Sequence, residues 1–251
     1  MAGRRSFRSS QAFLVRSVDM GEADRRLAFF TETDGAVSVV AKAARRSRKR
    51  FGGALQKYFL LEVAWTEEPR RMPILTSASI LVSFWDIVAD WDKVRYADYL
   101  LELASSLFPQ SGHKTKAFAF LLAGFRSLSG GESPVSVGRK AEAAFLSLGG
   151  WGPELSGCLR CGRADSGSFR FVVSEGRLYC GACSGKGGHP LSLGAVRTWR
   201  ALQASSPANV GRVRVPESIL EELQSVIPKY LEWNLGSGFR SLGVDSAGRK
   251  P

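Results

Sequence analysis

The sequence predicts an α+β fold, in which a five-stranded barrel precedes an α-helical domain that carries an inserted four-cysteine module. Three observations support this fold class. Short apolar runs separated by turn signals fill the first part of the chain, and after Val82 the apolar spacing changes to about 3.6 residues. The only four cysteines stand in two Cys-x-x-Cys pairs. We expect domains at residues 1–82 and 83–251, with the module at residues 156–187.

The N-terminal part of the chain predicts five strands. Their residues are rich in Val, Phe, Ile and Leu, and turn signals such as Thr33-Asp34-Gly35 separate them. Five short strands suit a small barrel, and the oligonucleotide-binding (OB) barrel is one such fold, which binds single strands on a strand face flanked by loops. The predicted strands are Gln11–Val18, Arg26–Thr31, Ala36–Ala41, Leu55–Trp65 and Met72–Val82.

The C-terminal part predicts helices that are buried on one side. In Asp92–Phe108 the residues Tyr96, Tyr99, Leu100, Leu103 and Leu107 form one apolar stripe, as expected for an amphipathic helix. Pro228 is expected to kink or split the last helix. The other predicted helices are His113–Leu128, Val137–Leu148, Gly194–Ala204 and Pro216–Leu235.

The two cysteine pairs predict one structural zinc site. Cys158 with Cys161 and Cys180 with Cys183 each leave two residues between the thiols, so four thiolates can surround one Zn²⁺. A predicted hairpin, Ser168–Val173 with Arg177–Tyr179, joins the two pairs. Two disulfides are the alternative, but the N-terminus does not resemble a secretory signal, and we expect a cytoplasmic protein with reduced thiols. His189 could in principle replace one thiolate.

Positive charge is concentrated near the N-terminus. The chain has a formal net charge of +12, and residues 1–57 contain 13 basic and 5 acidic residues, or +8. Residues 42–57 carry seven positive charges and no negative charge. This basic segment, as we call residues 42–57, suits a polyphosphate backbone. A solvated loop and a patch for anionic lipid are the alternatives, and no apolar run is long enough to span a membrane.

The basic residues of this region are the candidate phosphate contacts, and nearby aromatic rings are candidates for base stacking. Phe51, Tyr58 and Phe13 are the rings considered, with burial in the core expected for Phe13. The first candidates for phosphate contact are Arg45, Arg46, Arg48, Lys49 and Arg50, and the second are Arg4, Arg5, Arg8, Lys42 and Lys57.

No catalytic motif stands out in the sequence. The two histidines lie outside any recognisable nucleophile pattern, and the acidic trio Asp19, Glu22 and Asp24 is expected to pair with Arg25 and Arg26 instead of binding metal. DNA ligases also combine an OB barrel with a four-cysteine module. Such ligases carry the adenylate on a lysine in a K-x-D-G motif. The only Asp-Gly of this chain is Asp34-Gly35, and Glu32 stands where that lysine would be. A zinc-stabilised RNA-binding or translation-associated module stays an alternative.

Two segments of the N-terminal part stand out, V-D-M-G-E-A-D-R-R-L-A-F-F-T-E-T-D-G at Val18–Gly35 and V-V-A-K-A-A-R-R-S-R-K at Val39–Lys49. They resemble the N-terminal OB domain of the bacterial DNA repair and recombination mediator family RecO, in its zinc-containing branch. The C-L-R-C and C-G-A-C pairs look like its zinc insert, and Tyr230–Ser241 is similar to its closing helix. Two departures are Ala43, where the family often has glycine, and Ser237-Gly238, where the tail is often more basic.

The resemblance implies a non-enzymatic mediator of the RecFOR pathway. Such a protein binds single- and double-stranded DNA, anneals complementary strands, and helps load recombinase onto strands coated by single-stranded DNA-binding protein (SSB). The implied protein partners are RecR, the acidic C-terminal tail of SSB and, indirectly, RecF.

Overall fold

The computed structural model describes residues 6–46, 51, 53–110, 112–185 and 187–236. The chain divides into two compact units, Met1–Ser129 and Gly130–Pro251. The first unit joins the barrel to two helices, whereas the sequence places a boundary after residue 82. The division into domains at that residue therefore stays a prediction.

The first unit contains a closed five-stranded barrel in the order β1-β2-β3-β5-β4. Neighbouring strands are antiparallel, except for the parallel pair β3 and β5. This topology confirms the predicted OB fold. The strands are β1 (Ser6–Met20), β2 (Asp24–Thr31), β3 (Gly35–Ala41), β4 (Phe59–Glu67) and β5 (Ile74–Ser83).

Alternating side chains fill the barrel, among them Leu27, Phe29 and Val39, which are almost fully buried. Residues that precede β4 complete this core. Ala54 and Leu55 are buried within it, although the sequence predicts that Leu55 begins the fourth strand. The strand begins instead at Phe59, because the preceding chain turns inward and closes the barrel interior.

Helices cover part of the outer surface of the barrel in the first unit. A 3₁₀ turn at Trp85–Ala89 precedes α1 (Trp91–Leu107) and α2 (Lys114–Ser129). The ring of Phe13 in β1 lies 5.5 Å from that of Phe118 and 4.6 Å from that of Phe125. Phe13 is therefore a core residue, as the sequence predicts.

The second unit combines helices with a four-stranded sheet in the order β6-β8-β7-β9. The β7-β8 hairpin confirms the sequence prediction, whereas the outer strands were not predicted. The rings of Trp199 and Tyr230, which belong to the last two helices, pack on the ring of Phe171 in this hairpin. Their centroids lie 5.1 and 5.3 Å from that of Phe171. The elements are α3 (Pro134–Leu148), β6 (Glu154–Cys158), β7 (Ser168–Val172), β8 (Arg177–Cys180), β9 (His189–Ser192), α4 (Leu193–Ala204) and α5 (Glu217–Leu235).

Two helices of this unit differ from the predictions. The α3 helix is buried on nearly all sides, and an ion pair of 2.7 Å joins its buried residues Arg139 and Glu142. The α5 helix runs from Glu217 to Leu235 through Pro228, so the predicted split is wrong. Buried residues on both sides of the proline pack on the core, and this packing stabilises the helix despite the missing hydrogen bond.

Within the part of the chain that the structure describes, no helix has both the length and the hydropathy that crossing a membrane would require.

Candidate nucleic-acid interface and metal centre

The basic segment connects β3 to β4, as the sequence predicts. Lys42, Arg45, Arg46 and Lys57 lie within the described residues, and Arg8 lies in β1. The other five candidate phosphate contacts lie outside the described residues: Arg4, Arg5, Arg48, Lys49 and Arg50.

The beginning of the segment is attached to Asp24, the first residue of β2. Lys42 Nζ donates a hydrogen bond to Asp24 Oδ2 at 2.7 Å, and the backbone N–H of Ala43 donates to Asp24 Oδ1 at 2.9 Å. Hydrogen bonds from Lys42 and then from Ala43 hold the pKa of the Asp24 carboxyl below its usual value. Ala43 has a φ of 53°, in the left-handed region that favours glycine.

The next two arginines contact the turn between β1 and β2. Arg45 lies 3.8 Å from a carboxylate oxygen of Asp19, and Arg46 lies 3.5 Å from one of Glu22. Asp19 also accepts a hydrogen bond of 3.0 Å from Arg25. The acidic trio thus pairs internally, as the sequence predicts, with Arg25 and with cations of the basic segment. The predicted pairing with Arg26 is wrong, since no described carboxylate contacts that residue.

The end of the segment is attached to α1. Lys57 Nζ and the Tyr58 hydroxyl both donate to Asp98 Oδ1, at 2.9 and 3.0 Å. Burial and then the charge of Asp98 raise the pKa of Tyr58. Tyr58 has a φ of 67°, so this bulky residue also adopts the left-handed conformation.

Arg8 lies away from the β1–β2 turn that Arg45 and Arg46 contact. It precedes Asp19 by eleven residues in β1, roughly 36 Å along an extended strand. Its guanidinium contacts two carboxylates, Asp34 at 2.7 Å and Glu67 at 3.2 Å. Each predicted cation among the described residues therefore has an acidic partner.

Two arginines that were not selected from the sequence lie on the outer face of β1 and β2. Arg16 and Arg26 are exposed and line a groove of about 400 Å³ with Val18, Ala28 and Ser38. Neither guanidinium has a hydrogen bond or ion pair to another described residue. Arg16 pairs with Ala28 in the strand register, so Arg26 is its diagonal neighbour, about 7 to 8 Å away. Strand alternation could have revealed this pair once the register was known.

The aromatic candidates for base stacking are less accessible than the sequence suggested. Phe51 is only 3% exposed and belongs to the barrel core, so the suggestion that it stacks on bases is wrong. Phe51 belongs to the same apolar cluster as Ala54 and Leu55, which close the barrel interior before β4. Tyr58 is half-buried and directs its hydroxyl to Asp98.

The four cysteines form one cluster in the second unit. Their sulfur atoms lie within 4.8 Å of one another, and Cys161 Sγ lies 3.7 Å from Cys180 Sγ. Four sulfurs at about 2.3 Å from one zinc ion would be separated by about 3.8 Å, so this donor set fits Zn²⁺. His189 does not belong to the cluster.

Backbone turns bring the thiols together. In the first pair the N–H of Gly162 donates to the carbonyl of Cys158 at 2.8 Å, and the φ of 72° at Gly162 allows the reversal. In the second pair the N–H of Cys183 donates to the carbonyl of Cys180 at 2.9 Å.

The sulfurs influence each other electrostatically. Burial raises the pKa of the Cys158 thiol, but hydrogen bonds from the backbone N–H groups of Cys180, Cys161 and Arg160 outweigh this effect and lower the pKa to about 6. Hydrogen bonds with the thiols of Cys161 and Cys180 raise the pKa of Cys183 to about 12. A bound cation would favour the ionised form of these thiols.

The barrel, the basic segment and the cysteine cluster define an OB-fold protein with a four-cysteine module whose sulfurs lie close enough to hold one metal ion. Family models for the N-terminal and C-terminal parts of recombination protein O match residues 6–84 and 88–243. The chain belongs to the recombination protein O family, whose members act in DNA repair and recombination.

Full-length relatives agree with this assignment. The chain is 31% identical to the DNA repair protein RecO of Anaeromyxobacter sp. strain Fw109-5, over 89% of both chains. It is 27% identical to the RecO of Pelobacter propionicus, over 92% of this chain and 93% of the relative. It is 25% identical to the RecO of Acetivibrio thermocellus, over 94% and 95%.

Proposed function

We propose that this protein is a non-enzymatic, DNA-binding recombination mediator of the RecFOR pathway. In this proposal it binds single- and double-stranded DNA, anneals complementary strands and helps load recombinase during repair. The observation that carries the DNA-binding step is the group of cations around the β1–β2 turn of an OB barrel. The described members of this group are Lys42, Arg45 and Arg46 of the basic segment, together with Arg16 and Arg26.

The two kinds of cation would contribute differently to phosphate binding. Arg16 and Arg26 have no described carboxylate to release, so phosphate binding costs them no existing ion pair. Arg45 and Arg46 must exchange Asp19 and Glu22 for phosphate. Both pairs are largely exposed and contribute only about 0 to 1 kcal/mol each, so a polyanion can displace them.

Charge of this kind supports strand annealing without sequence recognition. Two complementary strands repel each other, and a surface rich in arginine lowers this repulsion while it contacts phosphates instead of base edges. The expected DNA binding is therefore strongly dependent on salt and only weakly dependent on sequence.

We further propose that Cys158, Cys161, Cys180 and Cys183 bind one structural Zn²⁺. Four thiolates complete a tetrahedral set and leave no coordination position for water or substrate. The ion would hold β6 and β8 to the turns that follow them and would stabilise the sheet.

The proposed protein partners are RecR and the acidic C-terminal tail of SSB, with RecF acting indirectly. The net charge of +12 favours association with acidic partners such as that tail.

Annealing of SSB-coated strands tests the proposed function. Two complementary fluorescent oligonucleotides are coated with the cognate SSB and mixed with the protein, without nucleotide. Acceleration is expected. Annealing of naked strands alone would support DNA binding but contradict the role on coated strands, and no effect on either would contradict the proposal. Stronger binding to structured RNA than to DNA in competition would favour the RNA-binding alternative.

A further inference from the structure

The two ends of the basic segment are held in the same way. Only three non-glycine residues with positive φ occur among the described residues, and two of them, Ala43 and Tyr58, lie at these ends. Beside each lies a carboxylate from another element, Asp24 of β2 and Asp98 of α1. Each carboxylate also accepts a hydrogen bond from the adjacent lysine.

These backbone conformations require support from their surroundings. A left-handed conformation is strained for an alanine or a tyrosine, and such strain persists where neighbouring contacts determine the conformation. At Ala43 the support is the hydrogen bond from its N–H to Asp24. At Tyr58 it is the bond from the hydroxyl to Asp98, together with a bond of 2.9 Å from the N–H of Phe84 to the Tyr58 carbonyl.

The two ends approach the same part of the barrel. Lys57 lines a groove with Asp19 and Arg25, and Asp19 is also the partner of Arg45 near the other end. Ala54 and Leu55, just before Lys57, are buried in the barrel core. The segment therefore leaves and rejoins the barrel at two fixed points beside the β1–β2 turn.

Electrostatics alone does not account for these carboxylates. A negative charge beside a phosphate-binding surface weakens DNA binding, and here each one also occupies a lysine that could contact phosphate. A carboxylate in this place must therefore contribute something besides charge if the surface binds DNA.

We propose that Asp24 and Asp98 are positioning residues, which fix the two described ends of the basic segment and thereby position Arg45 and Arg46 for DNA. Lys42 and Lys57 then serve this attachment and are not phosphate contacts. The advantage is pre-organisation, because a segment with fixed ends loses less conformational entropy when it binds. This inference rests on the proposed DNA-binding function.

A positioning role and a purely electrostatic role predict opposite changes of Kd when either aspartate is replaced by alanine. Asp24→Ala and Asp98→Ala each remove a negative charge, so charge alone predicts tighter DNA binding. Positioning predicts that Kd for a single-stranded oligonucleotide rises about three- to tenfold, which corresponds to the net loss of one typical hydrogen bond. Asp24→Asn and Asp98→Asn remove the same charge. The remaining oxygen of Asp98→Asn can accept both hydrogen bonds, and that of Asp24→Asn can still accept the bond from the N–H of Ala43 but loses the one from Lys42. Both variants should bind nearly as tightly as the wild type, because the strained residue keeps its support.

Two further variants complete the experiment. Tyr58→Phe removes one hydrogen bond without a change of charge, and its Kd should rise about threefold. Glu221→Ala removes an exposed carboxylate from the other unit and should leave Kd unchanged or slightly lower. The salt dependence of binding should remain that of the wild type in the positioning variants, because the number of phosphate contacts is unchanged. Thermal melting establishes that each variant is folded at the assay temperature.

The outcomes separate the inference from the proposed function. Equal Kd values for Asp24→Ala and Asp24→Asn, or tighter binding by the alanine variants, would overturn the positioning role while DNA binding stands. Absence of DNA binding by the wild-type protein would overturn the proposed function and this inference with it.

Discussion

Removal of Arg16 and Arg26 gives the sharpest prediction about the DNA-binding surface. Both guanidinium groups are exposed in one groove and have no partner among the described residues. We expect Arg16→Ala/Arg26→Ala to weaken DNA binding and to reduce its salt dependence. Each lost phosphate contact lowers the slope of log K against log salt by about 0.7 for single strands and about 0.9 for duplexes.

The magnitude follows from the two lost contacts. The slope should fall by about 1.4 for single-stranded and about 1.8 for double-stranded DNA. Between 50 and 200 mM salt, a change of about 1.4 alters the ratio of the variant and wild-type Kd values about sevenfold. The double variant should therefore be most impaired at low salt.

Fluorescence anisotropy with a labelled oligonucleotide at four salt concentrations measures these slopes. Arg197→Ala/Arg200→Ala is the matched control, since it removes two exposed arginines of α4 in the other unit. Lys57→Ala, whose lysine is bound to Asp98, should raise Kd without a change of slope. An unchanged slope for Arg16→Ala/Arg26→Ala, or an equal reduction in the control, would refute the reasoning.

Three other predictions concern the metal centre and stability. Cys158→Ser/Cys161→Ser, or treatment with a chelator, should release one equivalent of zinc and destabilise the second unit, because structural zinc binding is coupled to folding. Metal analysis and thermal melting test this prediction, and a fully folded, metal-free variant would contradict it. Ala43→Gly should raise the free energy of unfolding by about 1 kcal/mol, since glycine adopts a φ of 53° without strain. Denaturant titration measures this free energy, and a lower value for the variant would show that Ala43 is not strained. Glu142→Ala should lower the free energy of unfolding by roughly 3 kcal/mol, because it leaves the charge of Arg139 buried without its carboxylate. A change below about 1 kcal/mol in the same titration would mean that water reaches the guanidinium of Arg139.

The local patterns of the sequence predicted most of the elements. The alternation of apolar residues located the five strands to within a few residues, as in Ala36–Ala41 against the observed Gly35–Ala41. The stripe in the first helix predicted the buried Tyr99, Leu100 and Leu103. The spacing of the cysteines predicted a cluster whose sulfurs lie close enough to share an ion. Such features depend on neighbours along the chain, so they can be read directly from it.

Features that depend on neighbours in space were missed or misjudged. The burial of Phe51 in the barrel follows from the inward turn of the chain before β4, which no local pattern indicates. The buried ion pair in α3 exists because other elements surround this helix on nearly all sides, whereas its sequence suggested one buried face.

The charge of this protein shows the same division between sequence and tertiary structure. The sequence by itself determined how much positive charge the N-terminal region carries, because ionisation follows from residue type and holds in any fold. Only the tertiary structure decided which cations have partners. Asp98 reaches Lys57 across 41 positions of the chain, while the strand register sets Arg16 and Arg26 side by side without a described carboxylate. Electrostatic interaction depends on distances in space, and the fold alone establishes these distances.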